Sequence, residues 1–366
     1  MRAIPGMARL PKRTLTRDTF VSRAEAYALL ALAIVAALVF SFLPSTKDTF
    51  PTLANFQAIS GSQAVLMVAA LAVMFPLICE QFDLSVGANI SLSAVVAAEC
   101  MKGGLPPVVG AILGIACGAT VGLVNGLLVT RAKVNSVIVT LGMGTILAGL
   151  LQMITSGKPV GDNVAQWLLN LGSATVFGIP QLLIAALVVA LLAYYVLAHT
   201  PFGRKLYLYG ANSDAARLVG LRTNRLVVLG FMVGGSAGGV AGLLMLGQAG
   251  SASPTGGDSY LLAAWAAAFL GAAAIQPGRY NVWGLVTAIA FLGILNGGLN
   301  LAGANPYVSD FVDGTALIAG VAFTSYLRHQ RGREPHLRSD SVTPDTPAAE
   351  AGAEAPTSTS TALGGL

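Results

Sequence analysis

Residues 199–225 read HTPFGRKLYLYGANSDAARLVGLRTNR, with five Arg or Lys in the segment. Apolar runs lie on both sides, 179–198 and 226–247, each about the 20 residues that cross a bilayer at 1.5 Å per residue. Ser213 to Leu221 reads as one short helix. Asn212 or Ser213 is its N-cap, Asp214 sits in the first turn where the helix dipole favours a carboxylate, Arg217 follows, and Gly220 closes it. A capped helix held between two membrane spans predicts a docking surface.

Composition agrees with a chain built of spans. Hydrophobic residues make up 55% of the 366 and charged residues 10%, with a mean hydropathy of +0.72. That excludes an ordinary soluble domain and predicts an all-α, polytopic membrane protein. Cys79, Cys100 and Cys117 lie in or beside apolar runs without metal-ligand spacing, so they read as small buried hydrophobes. His199, His329 and His336 sit at a flank or in the tail, and no H-E-x-x-H occurs, so neither a metal nor a redox centre is expected.

Working outward, the apolar runs are 27–43, 62–78, 84–101, 107–129, 136–155, 179–198, 226–247, 260–276, 282–302 and 308–327, about ten spans in all. With the N-terminus inside, 18 of the 21 Lys and Arg fall on the cytoplasmic side, against Lys47, Lys102 and Lys158 outside. The net charge of +5 is thus a topology signal placing both termini in the cytoplasm, not a nucleic-acid footprint. Residues 1–26, with Arg2, Arg9, Lys12, Arg13, Arg17 and Arg23, form a basic cytoplasmic lead. Residues 27–328 form the membrane domain, and 329–366, rich in Pro, Ala, Thr, Ser and Glu, a disordered cytoplasmic tail. Run 84–101 holds Ser85, Gly87, Asn89, Ser91, Ser93 and Glu99, the content of a broken or partly re-entrant span. Residues 156–178 read as an external loop containing a short helix, with Trp167 at the interface.

Gly110, Gly114, Gly118, Gly122 and Gly126 form a four-residue ladder, a groove into which another helix fits, within the chain or across a dimer. Gly234, Gly235, Gly238, Gly239 and Gly242 repeat the device. Val124-Asn125-Gly126-Leu127, Asn135 and Gly144 to Gly149 recur as Leu295-Asn296-Gly297-Gly298, Asn305 and Gly314 to Gly320, offset by 170 to 171 residues. Five spans separate the copies, so they cross in opposite directions, as the inverted repeats of transport proteins do.

The spans are nearly free of ionisable groups. Glu99, Asp310 and Asp313 lie near span ends, and Glu80 and Asp83 at the inner end of the second. This argues against an intramembrane hydrolase and against a carrier with a midplane carboxylate. No catalytic residue is assigned. No G-x-x-x-x-G-K-[ST] occurs, so nucleotide energy would have to come from a second protein. Asp83 with Ser85 reads either as a helix start or as a pathway contact. Asn125 and Asn296, at matched repeat positions, hydrogen-bond across helices or line the pathway.

Phe82-Asp83-Leu84-Ser85-Val86-Gly87 resembles the D-L-S-V-G signature of ribose-type sugar permeases of ATP-binding-cassette importers. Gly203-Arg204 with Gly210, Asn212, Ala215, Ala216, Arg217, Leu218, Gly220 and Leu221 resembles that family's coupling segment. Pro277-Gly-Arg-Tyr-Asn-Val-Trp-Gly284, followed by Leu295-Asn-Gly297, is similar to its later block. The likeness runs from about 55 to 325. Glu80-Gln81 stands where the family has two glycines, and Gly271-Ala-Ala-Ala-Ile275 where it has Gly-Gly-Thr-Ser, which bears on substrate rather than architecture.

The resemblance implies a bacterial inner-membrane permease paired with a second copy or a sister permease. It also implies a cytoplasmic ATPase that carries the ATP and Mg, no cofactor in this chain, and an extracytoplasmic sugar-binding protein. Gly203, Arg204, Gly210, Asn212, Asp214, Ala215, Ala216, Arg217, Leu218 and Gly220 would couple to the ATPase. Asp83, Ser85, Asn89, Asn125, Asn296 and Asn300 are the pathway candidates, and walls offering Asn, Ser, Thr and Gln suit a neutral pentose or hexose. A permease for branched-chain amino acids or nucleosides, an ion-gradient carrier, and a scaffold without transport stand as the other readings.

Overall fold

A computed structural model describes residues 15–332, with the backbone alone for 15–25 and 324–332. Among the described residues the chain forms α1 (Leu15–Phe42), α2 (Leu53–Ile78), α3 (Val86–Lys102), α4 (Pro107–Arg131), α5 (Ser136–Thr155), α6 (Gln166–Ser173) and a two-residue hairpin, β1 (Thr175–Val176) with β2 (Ile179–Pro180). There follow α7 (Gln181–His199), α8 (Pro201–Ala211), α9 (Ser213–Leu218), α10 (Thr223–Ala249), α11 (Asp258–Ala273), α12 (Val282–Leu301) and α13 (Tyr307–Gly332). Six of these, α2, α4, α5, α7, α10 and α12, are long and apolar enough to cross a membrane. The chain is therefore a mostly helical, multi-pass membrane protein.

A helix occupies each of the ten predicted stretches, with four departures. The first begins at Leu15, inside the basic lead, because Arg and Glu with apolar neighbours favour helix as readily as an apolar run does. Run 84–101 holds one helix without a break, from Val86 to Lys102, and Asn89, Ser91 and Ser93 on it are buried against neighbouring helices. Residues 201–211 form α8, capped by Thr200, whose Oγ1 accepts from Gly203 N at 3.3 Å, and opened by Pro201. The last helix runs on to Gly332, into the predicted tail; 333–366, and residues 1–14 of the lead, lie outside the described residues. The 156–178 segment carries the expected short helix, α6, with Trp167 45% exposed.

Alpha2 is the centre of the bundle, with 83% of its apolar window buried. Antiparallel α10 packs along it: Gly234 faces Ala72 O and Pro76, and Gln248 Nε2 donates to Gly61 O at 3.4 Å. The two central helices then reach into opposite halves of the chain. Alpha10 packs on α3 and α4, and α2 on α11 and α12. Alpha5 backs α3, α13 backs α11, α7 lies on α2 and α1 on α12.

The glycine ladder on α4 is consumed inside the chain. Gly110 and Gly114 face Ala97 O and Ser93 O of α3, while Gly118, Gly122 and Gly126 face Gly235, Phe231 and Val228 of α10. With lipid as apolar as the helices, close packing of backbones carries this association. Cys79 is buried and Cys100 and Cys117 half-buried, all as free thiols.

Candidate functional site

The connection from α2 to α3 turns inward and is clamped by α5. Phe82 N donates to Ser136 Oγ at 3.1 Å, Leu84 N to Thr140 Oγ1 at 3.0 Å, and Thr140 Oγ1 to Phe82 O at 3.2 Å. Asp83 Oδ1 then accepts from Ser85 N at 3.0 Å and from Ser85 Oγ at 2.6 Å, and Ser85 Oγ accepts from Asn125 Nδ2 of α4 at 2.9 Å. One turn on, Asn89 Nδ2 donates to Gly235 O of α10 at 3.2 Å. None of the four side chains is more than 2% exposed. Asn89 Oδ1, Asn125 Oδ1 and Ser93 Oγ, on the same inner face, are buried without a hydrogen-bond partner. The N-termini of α3 and α11 abut at this level: Gly87 and Gly257 meet backbone to backbone, and Gly257 N donates to Ser91 Oγ at 2.8 Å. The first turn of α3 is thus buried in the bundle, while α11 starts beside it with Asp258 and Ser259 exposed.

From this core an aromatic chain runs to the end of the bundle that carries α8 and α9. Phe82 meets Trp265, Trp265 meets Phe269 with centroids 5.8 Å apart, and Phe269 meets Tyr280 at 6.1 Å. Tyr280 O accepts from Tyr207 Oη of α8 at 2.7 Å. Burial pushes the Tyr207 phenol up from its ordinary value against the pull of Arg279, so Tyr207 keeps the proton it donates. The loop carrying Tyr280 is held by Asn281, whose Oδ1 accepts from Gly284 N at 2.6 Å and whose Nδ2 donates to Ala274 O at 3.0 Å. A cavity of about 380 Å³ lies along the chain, lined by Phe82, Trp265, Phe269, Tyr280, Leu317 and others.

The 199–225 segment is built as two helices on a bend. Gly203 touches the end of α7 and Gly210 the Ile78 carbonyl at the end of α2; a Cβ at either would overlap backbone. Asn212 caps α9, its Oδ1 accepting from Asp214 N at 3.0 Å and Ala215 N at 2.9 Å. Gly220 takes φ +80°, the left-handed turn that ends the segment. Ala216 alone of α9 is buried, whereas Leu218 is 90% and Val219 74% exposed. Beside them opens a cleft of about 1190 Å³ lined by Lys133, Arg217, Arg222 and Arg225 with Glu80 and Tyr209.

Residues 55–321 match the family model described as the branched-chain amino acid transport system / permease component. The chain belongs to this permease family. It is 30% identical over 303 residues to the ribose import permease protein RbsC of Escherichia coli (strain K12), covering 81% of this chain and 92% of that one. It is 32% identical over 259 residues to RbsC of Bacillus subtilis (strain 168), covering 70% and 80% of the two chains. To the D-allose transport system permease protein AlsC of Escherichia coli it is 30% identical over 292 residues, covering 80% and 88%. No solved structure matches it.

Of the six pathway candidates the permease brings four together, Asp83, Ser85, Asn89 and Asn125. Asn296 instead donates to Asp313 Oδ1 of α13 at 3.2 Å, and Asn300 is exposed at the end of α12. The coupling candidates lie on α8 and α9, with Arg204 turned toward cavities that Arg217 does not line. Sequence reasoning missed Ser136 and Thr140, whose spacing of four on one helix face was the available signal. It missed Trp265 and Tyr207 too, where no local pattern announces the partner.

Proposed function

We propose that this permease carries a small neutral sugar across the bacterial inner membrane as the membrane subunit of an ATP-binding-cassette importer, fed by an extracytoplasmic binding protein and driven by a separate ATPase that holds the ATP and Mg. A second permease, identical or sister, completes the pathway. The observation that carries this reading is α9: a capped helix presenting uncovered Leu218 and Val219 beside a basic cleft, on a segment packed against the ends of α2 and α7. Apolar side chains left bare on a rigid, capped helix mark a partner surface.

Ten spans with both termini cytoplasmic, and two inverted halves at 170 to 171 residues, belong to this reading. The reciprocal packing of α10 on α3 and α4 and of α2 on α11 and α12 supports the repeat, since exchanging the halves maps one set of contacts on the other. Sugar is favoured by the relatives, whose names specify ribose and D-allose, and by the uncharged Asn and Ser side chains of the core.

Alternating access follows in this scheme. Closure of the ATPase pair drags α8 and α9, and the aromatic chain from Tyr207 to Phe82 passes the movement to the turn before α3. The deciding experiment is uptake into proteoliposomes holding the permease with its cognate ATPase and binding protein. Uptake of radiolabelled ribose or allose that requires internal ATP is expected. Uptake of leucine instead would reassign the substrate, and ATP-independent uptake abolished by an ionophore would overturn the importer reading.

A further inference from the structure

Arg204 of α8 and Arg279 of the α11–α12 loop line one cavity of about 220 Å³ together with Tyr194, Gln276 and Trp283, and both also line an adjoining cavity of about 540 Å³. Among the described residues no carboxylate lines either one. Among the described residues neither arginine forms an ion pair. Arg279 is held in place by stacking, its guanidinium carbon 3.7 Å from the centre of the Tyr207 ring. That contact orients the cation without neutralising it. Two guanidinium groups, that of Arg279 held by Tyr207, an amide and an indole therefore line a hollow that offers donors.

The hollow opens where the bilayer surface lies. Alpha7 turns Val188, Leu191, Leu192 and Tyr195 outward, each at least 50% exposed, which is the face acyl chains cover. At its end Tyr195 stacks on His199, Tyr194 meets Trp283 at 5.6 Å, and Trp283 is 44% exposed, the aromatic belt of a membrane interface. A basic pocket between helices at that level, below an apolar helix face, has the chemistry of a phospholipid headgroup site.

We propose that Arg204 and Arg279 bind the phosphate of an anionic phospholipid whose acyl chains lie along the outer face of α7. The lipid wedges between α7, α8 and the α11–α12 loop, and so steadies the Tyr207–Tyr280 contact beside it. The inference needs the chain to be in a membrane and does not depend on what it transports.

The test is native mass spectrometry of the full-length protein titrated with dioleoyl phosphatidylglycerol and, separately, dioleoyl phosphatidylcholine. The wild type is expected to retain phosphatidylglycerol in preference. The R204Q/R279Q protein is expected to hold it ~30-fold more weakly, from about fivefold for each arginine. R204K/R279K restores most of the loss, and K133Q, which removes a cation on the cleft side, leaves retention unchanged. Equal retention by wild type and R204Q/R279Q, or no preference over phosphatidylcholine, overturns the proposal. Displacement of the lipid by millimolar inorganic phosphate makes this a site for soluble anions and also overturns it. Should the double variant not purify, quenching by brominated phosphatidylglycerol decides: the emission lost in W283F must be the fraction quenched in the wild type, and quenching unchanged by W283F refutes the site.

Discussion

The indole of Trp265 lies flat against the phenyl ring of Phe82, centroids 5.4 Å apart and planes 6° from parallel. Trp265 is 4% exposed, Phe82 40%, so the smaller ring acts as a lid on the larger. Under it the indole Nε1 is buried without an acceptor, at a cost of about 1–3 kcal/mol that another conformation can relieve. The pair joins α11 to the turn before α3, and that turn is the far end of the chain of rings from α8. A thermal-unfolding cycle on F82L, W265L and the double variant should give a coupling energy of about 0.5–1.5 kcal/mol, the range of aromatic pairs. Strict additivity would mean that the stack does not join the two elements. F82L should also depress uptake while the partner's ATP hydrolysis continues.

The buried carboxylate at Asp83 makes a second prediction. Ser85 N and Oγ both donate to Oδ1, and an alanine there strands two donors in an apolar interior. Stability of D83A is expected to fall by at least about 2 kcal/mol, whereas D83N, which keeps an oxygen in place, should lose about 1 kcal/mol. Melting temperatures in a single detergent compare them. If D83A melts with the wild type, the hydrogen bonds through Ser85 to Asn125 do not hold α4.

On α4, a Cβ at Gly122 would overlap the Phe231 carbonyl of α10. The G122L variant should therefore yield little monodisperse protein on size-exclusion chromatography. Gly142 of α5 has nothing within 4 Å of an added Cβ, and G142A should be neutral or more stable by up to about 1 kcal/mol. A well-behaved G122L protein would contradict the packing of the two central glycine faces.

The cap of α9 supplies the coupling test. Removing it in N212A costs the short helix about 1 kcal/mol, while Asp or Ser at 212 retains most of the capping. Uptake should fall several-fold in N212A and recover in N212D and N212S, with protein abundance constant by immunoblot. Replacing Leu218 and Val219 by Ser should give the same loss through a different route, by removing apolar surface that a partner covers. Full uptake in L218S/V219S would move the docking surface elsewhere.

Much of this was legible in the residues. The apolar runs located ten helices, and Asn212, Asp214 and Gly220 foretold α9 because caps and dipoles act over one turn. The gathering of Ser85 and Asn125 was foreshadowed by polar side chains in apolar spans, which must find one another. What was hidden depends on distant neighbours. The polar residues of α3 suggested a break because a single sequence does not show that α4 and α10 supply partners for Ser85 and Asn89. Alpha8 was obscured by its glycines, which serve close contacts with α7 and α2 rather than flexibility. Trp265 sits in a run of alanines, and its partner lies on the far side of eight intervening helices in the chain.

The reciprocal packing of α2 and α10 bears on how the molecule is made. Alpha4 leaves the ribosome more than ninety residues ahead of the end of α10, so its groove at Gly118, Gly122 and Gly126 faces lipid while the nascent chain grows. Neither half can close its own interior: the first waits for α10, and α2 waits for α11 and α12. Arrival of α10 closes the glycine seam of α4, while α2 stays open until α11 and α12 follow.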